Sequence, residues 1–150
     1  MENLPLQSER RDRNVGIVHD FFRLMHEKDI GAWAALWDRR ARITVPYPPD
    51  GFPSVIEGAD QIVRGFRELF THFGTYDYEI RALYPALDPD VIIAEWDVTA
   101  TLPAQRETYR GNNITVFRLR DAKIVGYHDY FDPRKFQIVV DALSSSARSQ

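Results

Sequence analysis

The second half of the chain contains strand-like runs joined by very short connections, and this feature restricts the possible folds most. Asp121-Ala122 separates the last two runs by only two residues. Connections this short can join antiparallel strands, whereas parallel strands need a crossover of a dozen or more residues. The sequence therefore predicts an antiparallel meander of four strands: Thr75–Tyr84, Val91–Leu102, Glu107–Arg120 and Lys123–Phe131.

The first half of the chain has helical periodicity instead. Apolar residues recur there at three- and four-residue steps, which is typical of amphipathic helices. One strand, Ala41–Tyr47, interrupts the helices and leads into a proline-rich loop that ends at Pro53. Helices followed by a run of strands indicate an α+β fold with a curved sheet. The predicted helices are Ser8–Lys28 with Ser8 as N-cap, Ile30–Asp38 capped by Asp29, Gly58–Phe73, and a last helix from Asp132 and Pro133 to Leu143.

Composition predicts a soluble single domain over residues 1–150, ordered at about 8–143, with a flexible tail at 144–150. Apolar residues make up 44% of the chain and charged residues 27%. The net charge of -3 argues against nucleic acid as a partner. The chain has no cysteine, no apolar run that could span a bilayer and no signal peptide. We therefore expect a cytoplasmic protein with no membrane partner.

Aromatic residues make up 13% of the chain, which suits either a thick core or an apolar ligand cavity. No phosphate-binding loop, dinucleotide-binding motif or nucleophile elbow is present. His19 and His26 stand seven residues apart on the first helix, whereas metal ligands on one helix usually stand four apart. The sequence thus predicts neither a metal nor a cofactor.

Two acidic residues lie in the strand Val91–Leu102. Alternation places Glu95 and Asp97 on one face, and Trp96 and Val98 on the other. If both acids were buried, repulsion between them would raise one pKa and supply an acid and a base together. Alternatively, this face is wet, or the acids pair with an arginine on a neighbouring strand.

The last strand places a carboxyl in an apolar stripe. Asp129 shares a face with Val125, Tyr127 and Phe131. Burial among such groups raises the pKa of a carboxyl and makes it a candidate general acid/base. The alternative is a structural carboxylate held by hydroxyl and amide donors such as Asn113.

Together these features resemble the nuclear-transport-factor-2-like superfamily, and within it the SnoaL-like group. The resemblance covers roughly residues 10–143 and implies a cystatin-like cone, in which a curved antiparallel sheet wraps N-terminal helices around a central pocket. It also implies a homodimer formed across the convex sheet face. The apolar Trp96 and Val98, opposite the acids, would supply part of that face.

The C-terminal run KIVGYHDYFDPRKF is similar to the end of limonene-1,2-epoxide hydrolases. That family's catalytic set is an Arg between two Asp residues. Asp97 and Asp129 fall on the two Asp positions, and Glu95 stands at the Arg position. Arg42 and Thr44 stand where the family positions its water with a Tyr and an Asn.

The stretch FGTYDYEIRALYPALDPDVIIAEWD and the opening RRDRNVGIVHDFFRLM are similar to phenazine-biosynthesis A/B proteins. Those proteins place a functional Glu at the position of Asp129 and a His at the position of Glu79. Both comparisons therefore assign a catalytic carboxyl to Asp129.

The resulting hypothesis is a cofactor-free enzyme that moves a proton on a small, largely apolar metabolite, in isomerisation, cyclisation, dehydration or epoxide opening. Asp129 is its predicted principal acid/base, with Asp97 and Glu95 as partners. The alternative is a non-catalytic ligand carrier or dimeric interaction module. The predicted substrate-binding residues are Tyr47, Tyr127, Trp33, Trp37, Trp96, Phe131, Glu79 and Asn113.

Overall fold

A curved, unclosed sheet of six strands forms the frame of the protein. The structure, a computed structural model, describes residues 4–148. The strand order in the sheet is β2-β1-β6-β5-β4-β3. The strands are β1 Trp37–Thr44, β2 Val55–Glu57, β3 Tyr76–Pro85, β4 Val91–Leu102, β5 Glu107–Arg120 and β6 Lys123–Tyr130.

The predicted meander is confirmed, because β3, β4, β5 and β6 pair in sequence order and antiparallel. Register is continuous along the whole of β4, where Trp96 lies opposite Asn113 of β5. β5 and β6 place Thr115 opposite Asp129. This register brings the inward-facing side chains of three strands close together.

The other edge of the sheet differs from the prediction. β1 pairs antiparallel with the short β2 but parallel with β6, so the sheet is not wholly antiparallel. β1 also starts at Trp37, and the preceding helix stops at Ala34. The backbone N–H of Ile124 donates to the carbonyl of Leu36, so pairing with β6 replaces the helical bonds expected up to Asp38.

The described residues form four α-helices, and the start of the first and the end of the last also differ from the prediction. The first begins at Leu4 rather than at Ser8. The last continues to Arg148 instead of ending at Leu143, since residues 144–148 contain no Gly or Pro to stop it. Residues 149 and 150 lie outside the described part. The helices are α1 Leu4–Glu27, α2 Ile30–Ala34, α3 Ala59–His72 and α4 Pro133–Arg148.

Two predicted helix caps are present. Asp29 precedes α2, and its side chain accepts a hydrogen bond from the backbone N–H of Ala32 at 3.2 Å. Asp132 precedes α4 and accepts from the backbone N–H of Arg134 at 2.9 Å. Each cap satisfies an N–H group that has no partner inside the helix.

An aromatic cluster centred on Phe21 of α1 closes one end of the fold. The Phe21 side chain is fully buried. Such ring pairs contribute beyond their buried area when they meet edge to face. The Phe21 ring lies 5.0–6.1 Å, centroid to centroid, from Phe22, Trp33, Trp37, Phe117 and Tyr127.

The concave face of the sheet is apolar, and the chain itself covers it. Trp96 and Val98 are each only 3% exposed and face this interior. The argument that they need a second subunit as cover is therefore wrong, and the homodimer stays a prediction. Of the described helices, none is long and apolar enough to cross a membrane.

Replacing Phe21 with Ala should destabilise the protein by roughly 3–5 kcal/mol, because the remaining rings cannot close the cavity that forms. Urea unfolding followed by circular dichroism measures this loss. Leu87→Ala is the matched control, since Leu87 is 99% exposed and its truncation should change stability by less than about 0.5 kcal/mol. Equal losses for the two variants would contradict the central role of Phe21.

Candidate active site

An apolar cavity lies between the concave sheet face and the helices α3 and α4. Its volume is about 70 Å³. The lining residues are Met25, Ile43, Val45, Phe52, Ile56, Phe66, Leu69, Phe73, Tyr76, Trp96, Val98, Tyr109, Asn113, Tyr127, Asp129, Phe131 and Phe136.

Asp129 is the one charged side chain among these lining residues. Strand parity predicts its position correctly, because Tyr127 and Phe131 line the same cavity. Burial among apolar and aromatic groups raises the pKa of Asp129 from 3.8 to about 7, and a hydrogen bond from Thr115 opposes the rise. A carboxyl with this pKa can both take up and release a proton at neutral pH.

Thr115 and Trp96 fix the orientation of Asp129. The Trp96 indole N–H donates to Thr115 Oγ1 at 2.9 Å, and the Thr115 hydroxyl donates to Asp129 Oδ1 at 2.8 Å. Trp96 can only donate, and a hydroxyl has one proton to give. While Asp129 is ionised, the direction of both bonds is therefore set, and Oδ1 is held as an acceptor.

Three tyrosines surround this carboxyl. Burial, more than any other effect, raises the pKa of Tyr76, Tyr109 and Tyr127, and the charge of Asp129 adds to the rise in each. All three hydroxyls therefore stay protonated at neutral pH and can donate hydrogen bonds. The cavity thus combines one proton-transfer group with several neutral donors.

Gly111 makes room for one of these hydroxyls. A Cβ at Gly111 would overlap the hydroxyl of Tyr109 and crowd Asn113 Oδ1 at 3.1 Å. A larger residue on this part of β5 would push the Tyr109 side chain out of its position. Among the described residues, Asn113 Oδ1 is buried without a hydrogen-bond partner.

The structure places Asp97, Glu95 and Glu79 on the opposite, outer face of the sheet. Asp97 accepts hydrogen bonds from Arg81 at 2.6 Å and Asn112 at 2.7 Å. Both bonds lower the pKa of Asp97, and the bond from Asn112 has the larger effect. The prediction that Asp97 and Glu95 share a proton with Asp129 is wrong, because β4 turns Trp96 and Val98 toward the cavity.

The predicted water-positioning residues of β1, Arg42 and Thr44, are also absent from the cavity wall. Ile43 and Val45 line the cavity, while Arg42 is exposed and lies 3.6 Å from Glu57. Alternate residues of a strand point to opposite faces, so a shift of one position exchanges the two sets. Neither the acid pair nor the water-positioning pair of the epoxide hydrolases is therefore found among the described residues that line the cavity.

Four of the other predicted binding residues line the cavity, and three do not. Tyr127, Trp96, Phe131 and Asn113 lie in its wall. The three exceptions are Tyr47, which is 64% exposed and contacts Tyr130, and Trp33 and Trp37, which are buried in the cluster around Phe21.

Sequence reasoning missed Thr115, Tyr109 and Tyr76. A usable signal existed for the first two, because alternation along β5 puts them on the same face as Asn113 and Phe117. That Thr115 would lie directly opposite Asp129 depends on the strand register, which the turn between β5 and β6 and the register shift between Arg118 and Leu119 set together.

The family model for the SnoaL-like domain matches residues 18–127. The chain belongs to the SnoaL-like family. It is 32% identical over 116 residues to the uncharacterized protein YesE of Bacillus subtilis, covering 77% of this chain and 79% of YesE. It is 26% identical over 132 residues to the uncharacterized PhzA/B-like protein PA3332 of Pseudomonas aeruginosa, covering 88% and 92%.

Solved structures, NTF2-like proteins among them, have the same fold, which confirms the predicted nuclear-transport-factor-2-like fold. A Bacillus subtilis "Putative Isomerase" superposes with a TM-score of 0.80 at 27% identity, covering 89% of this chain and 96% of the other. The phenazine biosynthesis-related protein phzb2 of Pseudomonas aeruginosa superposes with a TM-score of 0.74 at 16% identity, covering 95% of this chain and 87% of the other. A Mycobacterium tuberculosis LEH-like epoxide hydrolase superposes with a TM-score of 0.67 at 17% identity, covering 93% of this chain and 98% of the other.

Asp129→Asn should stabilise the protein above pH 7. The folded pKa of about 7 exceeds the unfolded value, so wild type loses stability as the pH rises from about 4 to 7. The variant lacks this penalty, which amounts to at most roughly 4 kcal/mol for a difference of about three pKa units. Thermal melts at pH 4 and pH 8 measure the effect. A constant gap between the two proteins would contradict the raised pKa.

Thr115→Val should raise the pKa of Asp129 further, on the order of one unit, because the ionised carboxylate loses a donor. A ¹³C NMR titration of the Asp129 carboxyl measures this directly. Thr108→Val is the matched control on an exposed position of the same strand, and it should leave the titration unchanged. An unshifted titration in Thr115→Val would show that the hydroxyl does not hold the carboxylate.

Proposed function

We propose that this protein is a cofactor-free acid/base enzyme of the isomerase type, acting on a small and largely apolar carbonyl compound. The observation that carries the proposal is the lone carboxyl of Asp129 in an apolar cavity, with a pKa near neutrality. A general base works best when its pKa lies close to the operating pH. The name of the Bacillus subtilis neighbour, "Putative Isomerase", is consistent with this reaction class.

The proposed first step is removal of a proton from a carbon next to the carbonyl. Oδ2 of Asp129 takes this proton, and the C–H electron pair becomes the enolate. The protonated Asp129 then returns the proton to another carbon of the conjugated system, and the double bond shifts. No atoms are gained or lost, so the reaction needs no water and no oxidant.

The negative charge that develops on the carbonyl oxygen needs hydrogen-bond donors. The neutral hydroxyls of Tyr109 and Tyr127 are available for this role, since their raised pKa values keep them protonated. Donors in a water-poor cavity stabilise such an oxyanion more strongly than water does. We expect at least one of these hydroxyls to contact the substrate oxygen.

The absence of other acid/base side chains from the described cavity lining also supports proton transfer by Asp129. The cavity lining, as far as the chain is described, holds one carboxylate and no His, Cys, Lys or Arg. Opening of an epoxide by the Asp-Arg-Asp set of limonene-1,2-epoxide hydrolases is not supported, because Trp96 and Val98 occupy the inward positions of β4. A single carboxyl is enough to move one proton out and back.

Isomerisation of cyclopent-3-enone to cyclopent-2-enone, followed by ultraviolet absorbance, tests the proposal. We expect kcat/KM to rise through about pH 7 and then to level off, because only ionised Asp129 accepts a proton. Asp129→Asn should lower kcat/KM by about 10²-fold or more. The matched control is Asp97→Asn, on the outer face, which should keep the activity.

Wild-type activity in Asp129→Asn would overturn the assignment of the base. Loss of turnover with ligand binding retained would support it.

A second candidate is a ligand carrier without catalysis. The small volume of the cavity and the aromatic contacts that close it favour this alternative, since Phe136 lies 5.0 Å from Phe131 and 5.4 Å from Phe52, centroid to centroid. A carrier would bind apolar ketones without isomerising them. The same assay therefore separates the two candidates.

A further inference from the structure

A second apolar space lies directly outside the cavity, between the helices α3 and α4. We call it the outer groove. Its volume is about 230 Å³, which is larger than that of the cavity. It is lined by Gly51, Phe52, Pro53, Ile56, Gly65, Phe66, Glu68, Leu69, Val140, Leu143 and Ser144.

The outer groove and the inner cavity share a wall. Phe52, Ile56, Phe66 and Leu69 line both spaces. The groove therefore adjoins the space that Asp129 faces, with these four residues at the boundary. A molecule that fills both spaces would be longer than the cavity alone can hold.

Two glycines in the wall of the groove leave space that a side chain would otherwise fill. Gly65 lies in the middle of α3, where glycine is less favourable than alanine. A Cβ there would meet nothing within 4 Å, so the space in front of it is open. Gly51 has a φ of +82°, and a Cβ there would lie 3.5 Å from Val140 of α4.

The chemistry of the two spaces restricts what can lie in them. The inner cavity holds one carboxyl and no cationic side chain among its lining residues, so it disfavours an anionic head group. Its tyrosine hydroxyls suit a neutral oxygen. The groove is mostly apolar, with Glu68 and Ser144 as exposed polar members. The arrangement fits an uncharged head that is continued by an apolar chain.

We propose that the outer groove binds the unbranched apolar tail of an uncharged substrate whose oxygen-bearing head lies in the inner cavity next to Asp129. The position of the head rests on the proposed function, whereas binding of the tail does not require turnover. The substrate class is therefore a medium-chain neutral ketone or a similar amphiphile. Short or branched compounds would use only the inner cavity.

Calorimetric binding of the ketones butanone, hexan-2-one, octan-2-one and decan-2-one to the full chain tests this proposal. Each methylene that enters the groove should raise the affinity about fourfold. The rise should continue to decan-2-one. Decanoate, the matching anion, should bind at least about tenfold more weakly than decan-2-one at pH 8.

Gly65→Phe should fill the groove, weakening decan-2-one binding by about tenfold or more and changing butanone binding by less than about twofold. Gly16→Phe is the matched control. Gly16 also lies within a helix, a Cβ there also meets nothing within 4 Å, and the residue is outside both spaces. Leu143→Glu places a charge in the groove by a different route and should give the same selective loss.

The proposal is overturned if affinity does not increase with chain length, including the case in which no ketone binds. It is also overturned if both groove variants bind decan-2-one as wild type does. Asp129→Asn separates this result from the proposed function, because loss of the base should leave the chain-length dependence of binding intact. If wild type shows the chain-length dependence but no isomerisation, the proposed catalysis is rejected and the proposed binding of the tail in the outer groove stands.

Discussion

The hydrogen bond from Thr115 to Asp129 is the interaction on which the candidate site depends. A buried carboxylate is costly, and the hydroxyl of Thr115 offsets only part of this cost, so the pKa of Asp129 stays raised. The Trp96 indole sets the direction of the Thr115 hydroxyl. The three hydrogen-bonded side chains thus come from three neighbouring strands, so the pairing of these strands fixes the position of the carboxyl.

The aromatic cluster around Phe21 and the cavity divide the interior between them. Helix α1 fills one part of the concave face with packed rings, and α3 and α4 cover the other part more loosely. Trp33 and Trp37 belong to the packed part, although they are among the predicted substrate-binding residues. Their ring partners, rather than their residue type, decide which part they join.

Much of the fold could be predicted because its signals are local. Short connections force β3 to β6 into a meander, and alternation along β6 places Asp129 and Tyr127 on one face. The site was harder to predict, because alternation defines the two faces of a strand but not which of them points into the cavity. The elements that pack against the strand decide that. The acids of β4 satisfied the pattern of a catalytic pair, yet Arg81 and Asn112 hold Asp97 on the outer face. Nothing within β4 alone distinguishes the two orientations.

The sequence by itself determined the α+β class, the family, and the candidacy of Asp129, since these follow from periodicity, short connections and resemblance along the chain. Only the tertiary structure decided that Asp129 stands alone in its cavity, that Thr115 faces it, and that the outer groove adjoins it. These features join residues far apart in sequence, such as Gly65 and Leu143. Their proximity results from packing and strand register, which no local pattern encodes.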